Sequence, residues 1–403
     1  MAFFSFLLGN FRWLSVGILL TFLSSFGQTF FISIFSGEIR ETFSLSHGAW
    51  GGIYTLGTGA SAAVMLWSGA LTDLYRTRVL SVIVLLALAS ACLAMALNPW
   101  AAMLPFVIFA LRLCGQGMMS HLAVVSMSRW FIASRGRALS IAGLGIALGE
   151  AVLPVSFVSL LLIVDWRWLW VIVAGVSVVA IPVIVVLLMQ ERTPQSHAET
   201  DISYGMDKRH WTRMEALRHP LFWFMVPAIL GPAAFGTAFF FQQVHFATVK
   251  GWAHFDLVAL FPIYTAVTFG AMLLSGWMLD KFGTARLIPW FQLPAVLAFA
   301  IYCFSESLST TLIGLLCMAL TTGANNTLPN AFWAEFYGTR NLGAIKATAA
   351  AVMVLGSALG PGITGGLIDF GVGIEMQYLG VAGYFIAATV FMVIGVGRYG
   401  GRL

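Results

Sequence analysis

Long apolar runs recur along the whole chain, separated by short polar stretches. A helix needs about 20 apolar residues to cross the hydrocarbon core of a bilayer. Twelve segments fit that length: 13–36, 48–71, 79–98, 101–128, 138–163, 168–190, 221–245, 256–279, 287–304, 310–333, 345–368 and 377–397. They are numbered here as spans 1 to 12, and an even number puts both termini on one side. One long polar segment, Glu191–His219, interrupts the pattern with ten charged residues and leaves six spans on either side. It reads as a tether, in which Trp211, Met214, Ala216 and Leu217 give a short interfacial helix one apolar side. The predicted organisation is an N-terminal six-helix bundle at 1–190, a cytoplasmic linker at 191–219 and a C-terminal six-helix bundle at 220–403.

Composition sharpens the class. Of 403 residues 60% are hydrophobic and only 9% charged, against about 25% charged in a soluble domain. So few charges cannot cover a water-facing surface, which excludes a soluble enzyme, a disordered chain and a nucleic-acid binder. An all-α integral membrane protein remains. With both termini inside, 17 of the 21 Lys and Arg residues fall on the inner side, counting Lys346 at the cytoplasmic end of span 11; Arg40, Arg167 and Lys250 fall outside, and Arg112 alone is left in the interior of a span. That asymmetry places both termini in the cytoplasm, and the expected location is a bacterial cytoplasmic membrane. The apolar start, Met1 to Asn10, runs into span 1 with no cleavage signal and reads as no signal peptide. Cys92, Cys114, Cys303 and Cys317 each sit in an apolar run without metal-ligand spacing, as small buried hydrophobes do. No phosphate loop, nucleophile–base pair or metal cluster stands out. No metal, cofactor or enzymatic activity is expected, and energy for any transport comes from a gradient.

The two halves repeat. Phe26-Gly27-Gln28-Thr29-Phe30-Phe31 in span 1 matches Phe235-Gly236-Thr237-Ala238-Phe239-Phe240 in span 7, and Ala110-Leu111-Arg112 matches Ala319-Leu320-Thr321, both at an offset of 209. Gly69 to Asp73 matches Gly276 to Asp280 at 207, and Gly145-x-x-x-Gly149-Glu150 matches Gly356-x-x-x-Gly360-Pro361 at 211. Such agreement indicates a duplicated six-helix unit, with halves related by an axis along the membrane normal.

Twelve spans in two halves, a long middle loop and the Gly-x-x-x-Asp loops resemble the major facilitator superfamily over the whole chain. Gly69, Leu71, Asp73 and Arg78 fit the first copy of its loop signature, with Arg76 where a glycine is usual. Gly276, Asp280, Lys281, Gly283 and Arg286 fit the second copy more closely. Three segments resemble the bacterial monocarboxylate and oxalate/formate branch: Trp130-Phe131 through Arg135-Gly136-Arg137-Ala138, Glu215-Ala216-Leu217 before Pro220 and Phe222-Trp223, and Phe240-Phe241-Gln242-Gln243. The resemblance implies alternating access, with spans 1, 4, 7 and 10 lining the substrate path. It also implies a gating role for Asp73, Arg78, Asp280, Lys281 and Arg286, with Glu335 and Arg340 as partners. The other reading of these loop charges is ordinary topology-setting charge.

Arg112 is the most informative residue. An arginine at the middle of a span costs about 2.5–3.5 kcal/mol on insertion scales, so it should face a wet cavity or an anion. Its planar fork suits a carboxylate; the structural alternative is a partner at Glu150 or at backbone carbonyls. Glu150, near the middle of span 5, is a candidate proton carrier, and a nearby Arg112 would hold it ionised. Gln28 pairs with Thr237 and Gln116 with Asn325 through the repeat, so these four polar residues share matching depths. Phe241, Gln242 and Asn326 join them as candidate substrate contacts. His121 lies on the opposite side of span 4 from Arg112, and His245 lies near the outer end of span 7.

These residues together lead us to expect a monomeric secondary transporter of a small organic anion, a monocarboxylate, coupled to protons or to a counter-substrate. One feature departs from the branch: span 8 carries no Lys or Arg in its interior, where a cation for the carboxylate is usual. The alternatives are a proton-coupled exporter of hydrophobic compounds and a non-transporting membrane receptor or scaffold.

Overall fold

The computed structural model describes residues 2–131, 134–190 and 204–400; for residues 2–5, Asp73 and Arg135 it describes the backbone alone. Every regular element among the described residues is helical. Among the described residues nine helices are long and apolar enough to cross a membrane: Thr77–Leu97, Ala101–Trp130, Gly136–Leu161, Trp166–Leu187, Pro220–Phe241, His254–Phe282, Leu308–Tyr337, Leu342–Asp369 and Ile374–Tyr399. A tenth forms if Phe11–Gly27 and Thr29–Thr42, bent by 48°, count as one. Two expected spans differ from these. His47–Ser68 has the length, at 22 residues, but is diluted with Gly, Ser and Thr. Leu293–Phe304 is apolar but only 12 residues long, because 288–292 form turns ahead of it.

The chain packs as two compact units, Met1–Ser46 with Gly52–Glu199, and His47–Gly51 with Thr200–Leu403. Each unit uses the same packing scheme. In the first, span 5 lies on span 1, and span 3 packs on spans 4 and 6; in the second, span 11 lies on span 7, and span 9 packs on spans 10 and 12. The small residues of the repeat explain the first of these pairings. A Cβ on Gly145 would meet the Ile18 carbonyl at 2.0 Å, and one on Gly149 the Ser25 Oγ at 2.1 Å. In the other unit a Cβ on Gly360 would meet the Ala234 carbonyl at 2.3 Å. Apolar burial gives little drive between helices in lipid, so close backbone approach at glycines carries the contact.

The linker departs from a free tether. Residues 191–203 lie outside the described residues, but 204–219 are docked on the second unit. Trp211 is buried, donates its backbone N–H to Tyr337 O (3.2 Å) and meets the Tyr337 ring edge-on at 5.6 Å. Asn341 returns a hydrogen bond to Trp211 O at 3.0 Å. The short helix Arg213–Arg218 starts from a capping box, in which Thr212 and Glu215 satisfy each other's backbone N–H. Ala216 is buried while Met214 is exposed, so the predicted apolar side exists but faces protein.

Candidate functional site

The site in the first unit is built where span 1 breaks. Gln28 is extended (φ −83°, ψ 154°) between the 3₁₀ turn Ser25–Gly27 and the helix Thr29–Ile32. A helix that stops at Gly27 leaves its last carbonyls without helical donors. Arg112 Nη1 supplies one, donating to Gly27 O at 3.0 Å and more weakly to Thr29 Oγ1 at 3.4 Å. Thr29 Oγ1 also shares a 2.5 Å hydrogen bond with Tyr54 OH, and the Tyr54 ring lies 5.4 Å from the guanidinium carbon.

Span 4 is irregular at the same level: Arg112–Met119 is π-helical. The two irregular segments meet through glycine, since a Cβ on Gly115 would lie 2.6 Å from Gly27 Cα. Single π segments are frequent at functional sites. Arg112 is 1% exposed, and its Nε, buried, has no hydrogen-bond partner. Among the described residues no carboxylate lies within ion-pair distance of it. Of the two structural partners anticipated for Arg112, the backbone carbonyl is present and Glu150 is not. Glu150 is half-buried in span 5, next in sequence to Gly149, the residue whose added Cβ would meet Ser25 Oγ. A cation in a low-dielectric interior with only neutral partners is costly to leave uncompensated; the carbonyl, hydroxyl and aromatic face hold the guanidinium in place but supply no counter-charge.

The second unit has its own irregularities at repeat-related positions. Span 7 turns π-helical at Pro232–Gly236, which the 209 offset maps onto the break in span 1. Span 10 ends its regular helix at Asn325, the position matched to Gln116. Of the polar residues expected here, Gln242 is buried and donates to Thr364 Oγ1 at 3.4 Å. It lines a small cavity with Gln377 and Tyr378, whose Oε1 and OH have no hydrogen-bond partner. Asn325 Oδ1 is buried without a partner, Thr237 is half-buried, and Asn326 is exposed at the helix end. Phe241 is buried against Trp50, ring centroids 5.7 Å apart. His245 meets His47 edge-on at 4.2 Å.

Five of the expected gating residues, those of the second unit, form no ion pairs among the described residues. Asp280, Lys281, Arg286 and Arg340 are exposed and Glu335 is half-buried. Lys281 instead lies over the Trp277 ring at 5.1 Å, and the helix at Thr284 has no side-chain cap. Exposed charges gain little from pairing in water, so these stay separate. Gln28, Gln116 and Arg78 are half-buried, and the Asp73 side chain lies outside the described residues. Sequence reasoning passed over Tyr54 and Thr364, whose roles come from contacts that spacing does not reveal.

A family profile described as Major Facilitator Superfamily matches residues 17–361. The chain belongs to the major facilitator superfamily. No curated protein sequence matches this major facilitator, but solved structures do. A bacterial homologue of the human lysosomal transporter Spinster, in an inward-facing and unoccupied conformation, superposes with a TM-score of 0.69 at 18% identity, covering 96% of this chain and 95% of that one. The nucleoside transporter NupG superposes with a TM-score of 0.71 at 12% identity, covering 95% and 98%. At such identities these neighbours speak for the fold alone. They leave the substrate of this major facilitator to be argued from its own side chains. Membership of this superfamily makes the chain a multi-pass transporter of a small molecule rather than an enzyme.

Proposed function

We propose that this major facilitator is a secondary active transporter that moves a small organic anion, a monocarboxylate, across the cytoplasmic membrane by alternating access. A proton gradient or exchange against a second anion drives it. The observation that carries this reading is Arg112, a buried guanidinium with neutral partners, an unused Nε and no carboxylate beside it among the described residues. A carboxylate bound there would supply the missing charge through two parallel hydrogen bonds. Gln28 and Gln116, half-buried on the two irregular helices next to it, are the proposed first-half contacts. Gln242, Phe241, Thr237, Asn325 and Asn326 are the proposed second-half ones. Glu150 is the proposed proton carrier. Asp73, Arg78, Asp280, Lys281, Arg286, Glu335 and Arg340 are the proposed gating residues, the last five changing partners during the cycle rather than holding fixed ion pairs.

A second reading, export of hydrophobic compounds against protons, is favoured by the lack of any cation inside span 8 and by the half-buried Glu150. One experiment separates the two. Purified protein is reconstituted and tested for binding and flux of short carboxylates and of lipophilic cations. The carboxylate reading expects carboxylate binding that falls at least ~100-fold in Arg112→Ala, as loss of one partner of a buried charge pair costs about 3–5 kcal/mol, with partial retention in Arg112→Lys. Carboxylate affinity unchanged in Arg112→Ala, or flux of lipophilic cations alone, overturns it. Glu150→Gln is expected to spare exchange and abolish accumulation driven by a pH gradient.

A further inference from the structure

A groove opens on the flank of the second unit, and none of the residues discussed above as substrate contacts is among its lining residues. Spans 8 and 9 both pack on span 10 but make little contact with each other. The gap between them has a volume of about 210 Å³ and is lined by apolar side chains, among them Leu274, Met278, Leu287, Trp290 and Leu320, with Ser275. Leu274, Trp290 and Leu320 are each at least 42% exposed, so the groove is open to whatever surrounds the bundle. It lies at the end of the spans that carries the basic loop.

Charge sits at one end of this groove and in a fixed register. Ala271, Leu274, Ser275 and Met278 form one stripe of the helix Phe261–Phe282, at the spacing of neighbours on a helix face. Phe282 continues that stripe, and Lys281, three residues past Met278, borders it on the side of Trp277. The opposite wall is formed by Leu287, Trp290, Phe291 and Pro294, and Arg286 immediately precedes Leu287 at the end of the short helix Thr284–Leu287. Lys281 rests over the Trp277 and Phe282 rings (5.1 and 5.4 Å), the aromatic and basic pairing of a membrane interface. Both cations are exposed, and neither has an ion-pair partner among the described residues. Asp280, the nearest acid in sequence, is two residues past Met278 and so points to the other side of its helix.

We propose that this groove is a binding site for an anionic phospholipid: one acyl chain lies along Leu274, Met278, Trp290 and Leu320, and the phosphate-bearing headgroup is held by Lys281 and Arg286. Basic residues between helix ends recognise anionic headgroups through charge, and the apolar stripe fixes the chain. By the cation count, this end faces the inner leaflet.

The test uses the full chain, purified in detergent, stripped of lipid and titrated with phosphatidylglycerol or phosphatidylcholine, bound lipid being counted by native mass spectrometry. Phosphatidylglycerol is expected to bind at least ~10-fold more tightly than phosphatidylcholine. The double substitution Lys281→Gln with Arg286→Gln should erase that preference. Arg213→Gln with Arg340→Gln, which removes equal charge elsewhere on the unit, should keep it. Ser275→Phe fills the groove with both cations intact and should lower phosphatidylglycerol binding by a similar factor; Leu320→Trp, from the floor, serves if that variant does not fold. Equal binding of the two lipids, equal loss in the distant charge variant, or undiminished binding in a folded groove-filled variant would each overturn the proposal.

Discussion

Substituting Gly27 by alanine strikes the point where the two irregular helices of the first unit meet. The added Cβ would lie 2.3 Å from Leu111 O, 2.7 Å from Gly115 Cα and 2.8 Å from Gln116 N. All three are backbone atoms, so no side chain can rotate away. Ordinary contact requires the helices to part by roughly 1 Å, since carbon atoms rest about 3.5–4.0 Å apart. That movement stretches the 3.0 Å bond from Arg112 to Gly27 O beyond useful length. Overpacking costs about 1–3 kcal/mol and loss of a hydrogen bond to a charged group about 1.5–3 kcal/mol, so the expected destabilisation is about 2.5–6 kcal/mol. Gly143→Ala is the internal control, because nothing lies within 4 Å of its added Cβ. It should be neutral or stabilise the helix by up to about 1 kcal/mol. Unfolding free energies in a mixed-micelle denaturant titration report both. A Gly27→Ala protein as stable as wild type, with anion binding intact, would refute the close backbone contact and its role in holding Arg112.

Three further outcomes are expected. Thr29→Val removes the hydroxyl shared by Arg112 and Tyr54 at nearly constant volume and should lower stability by about 1–3 kcal/mol; Tyr54→Phe, tested beside it in the same titration, should recover none of that loss. Trp211→Ala should cost about 3–5 kcal/mol and expose the 204–219 segment to protease, as followed by the rate of limited cleavage. Hydrogen bonds from Thr212 hold the Glu215 carboxyl below its ordinary value of 4.5. A carboxylate with a lowered folded-state pKa stabilises above its unfolded value and loses that contribution as pH falls through the folded one. The helix Arg213–Arg218 should therefore fray on acidification below about pH 4.5, and amide exchange at 213–216 should lose this dependence in Glu215→Gln.

The apolar lengths, the break after span 6 and the repeat registers were enough to place this chain in its superfamily. These are local or periodic properties, because a segment must be apolar along its own length to lie in lipid, whatever its neighbours are. Arg112 stood out for the same reason: a guanidinium in such a segment is costly wherever the helix packs. Its surroundings were decided by contacts distant in sequence. The extended Gln28, the π-helical stretch from Arg112 and the Gly27–Gly115 approach exist because two helices press together, and neither segment alone signals it. Tyr54 joins from span 2 for the same reason. The docked linker turns on Trp211 finding Tyr337, more than a hundred residues away, and the separated charges of Asp280, Lys281 and Arg286 turn on exposure that spacing cannot convey. Sequence set what each segment must be in order to live in oil. Packing chose which carbonyl, hydroxyl and ring each polar side chain would meet, because those partners are brought together only when the helices close on one another.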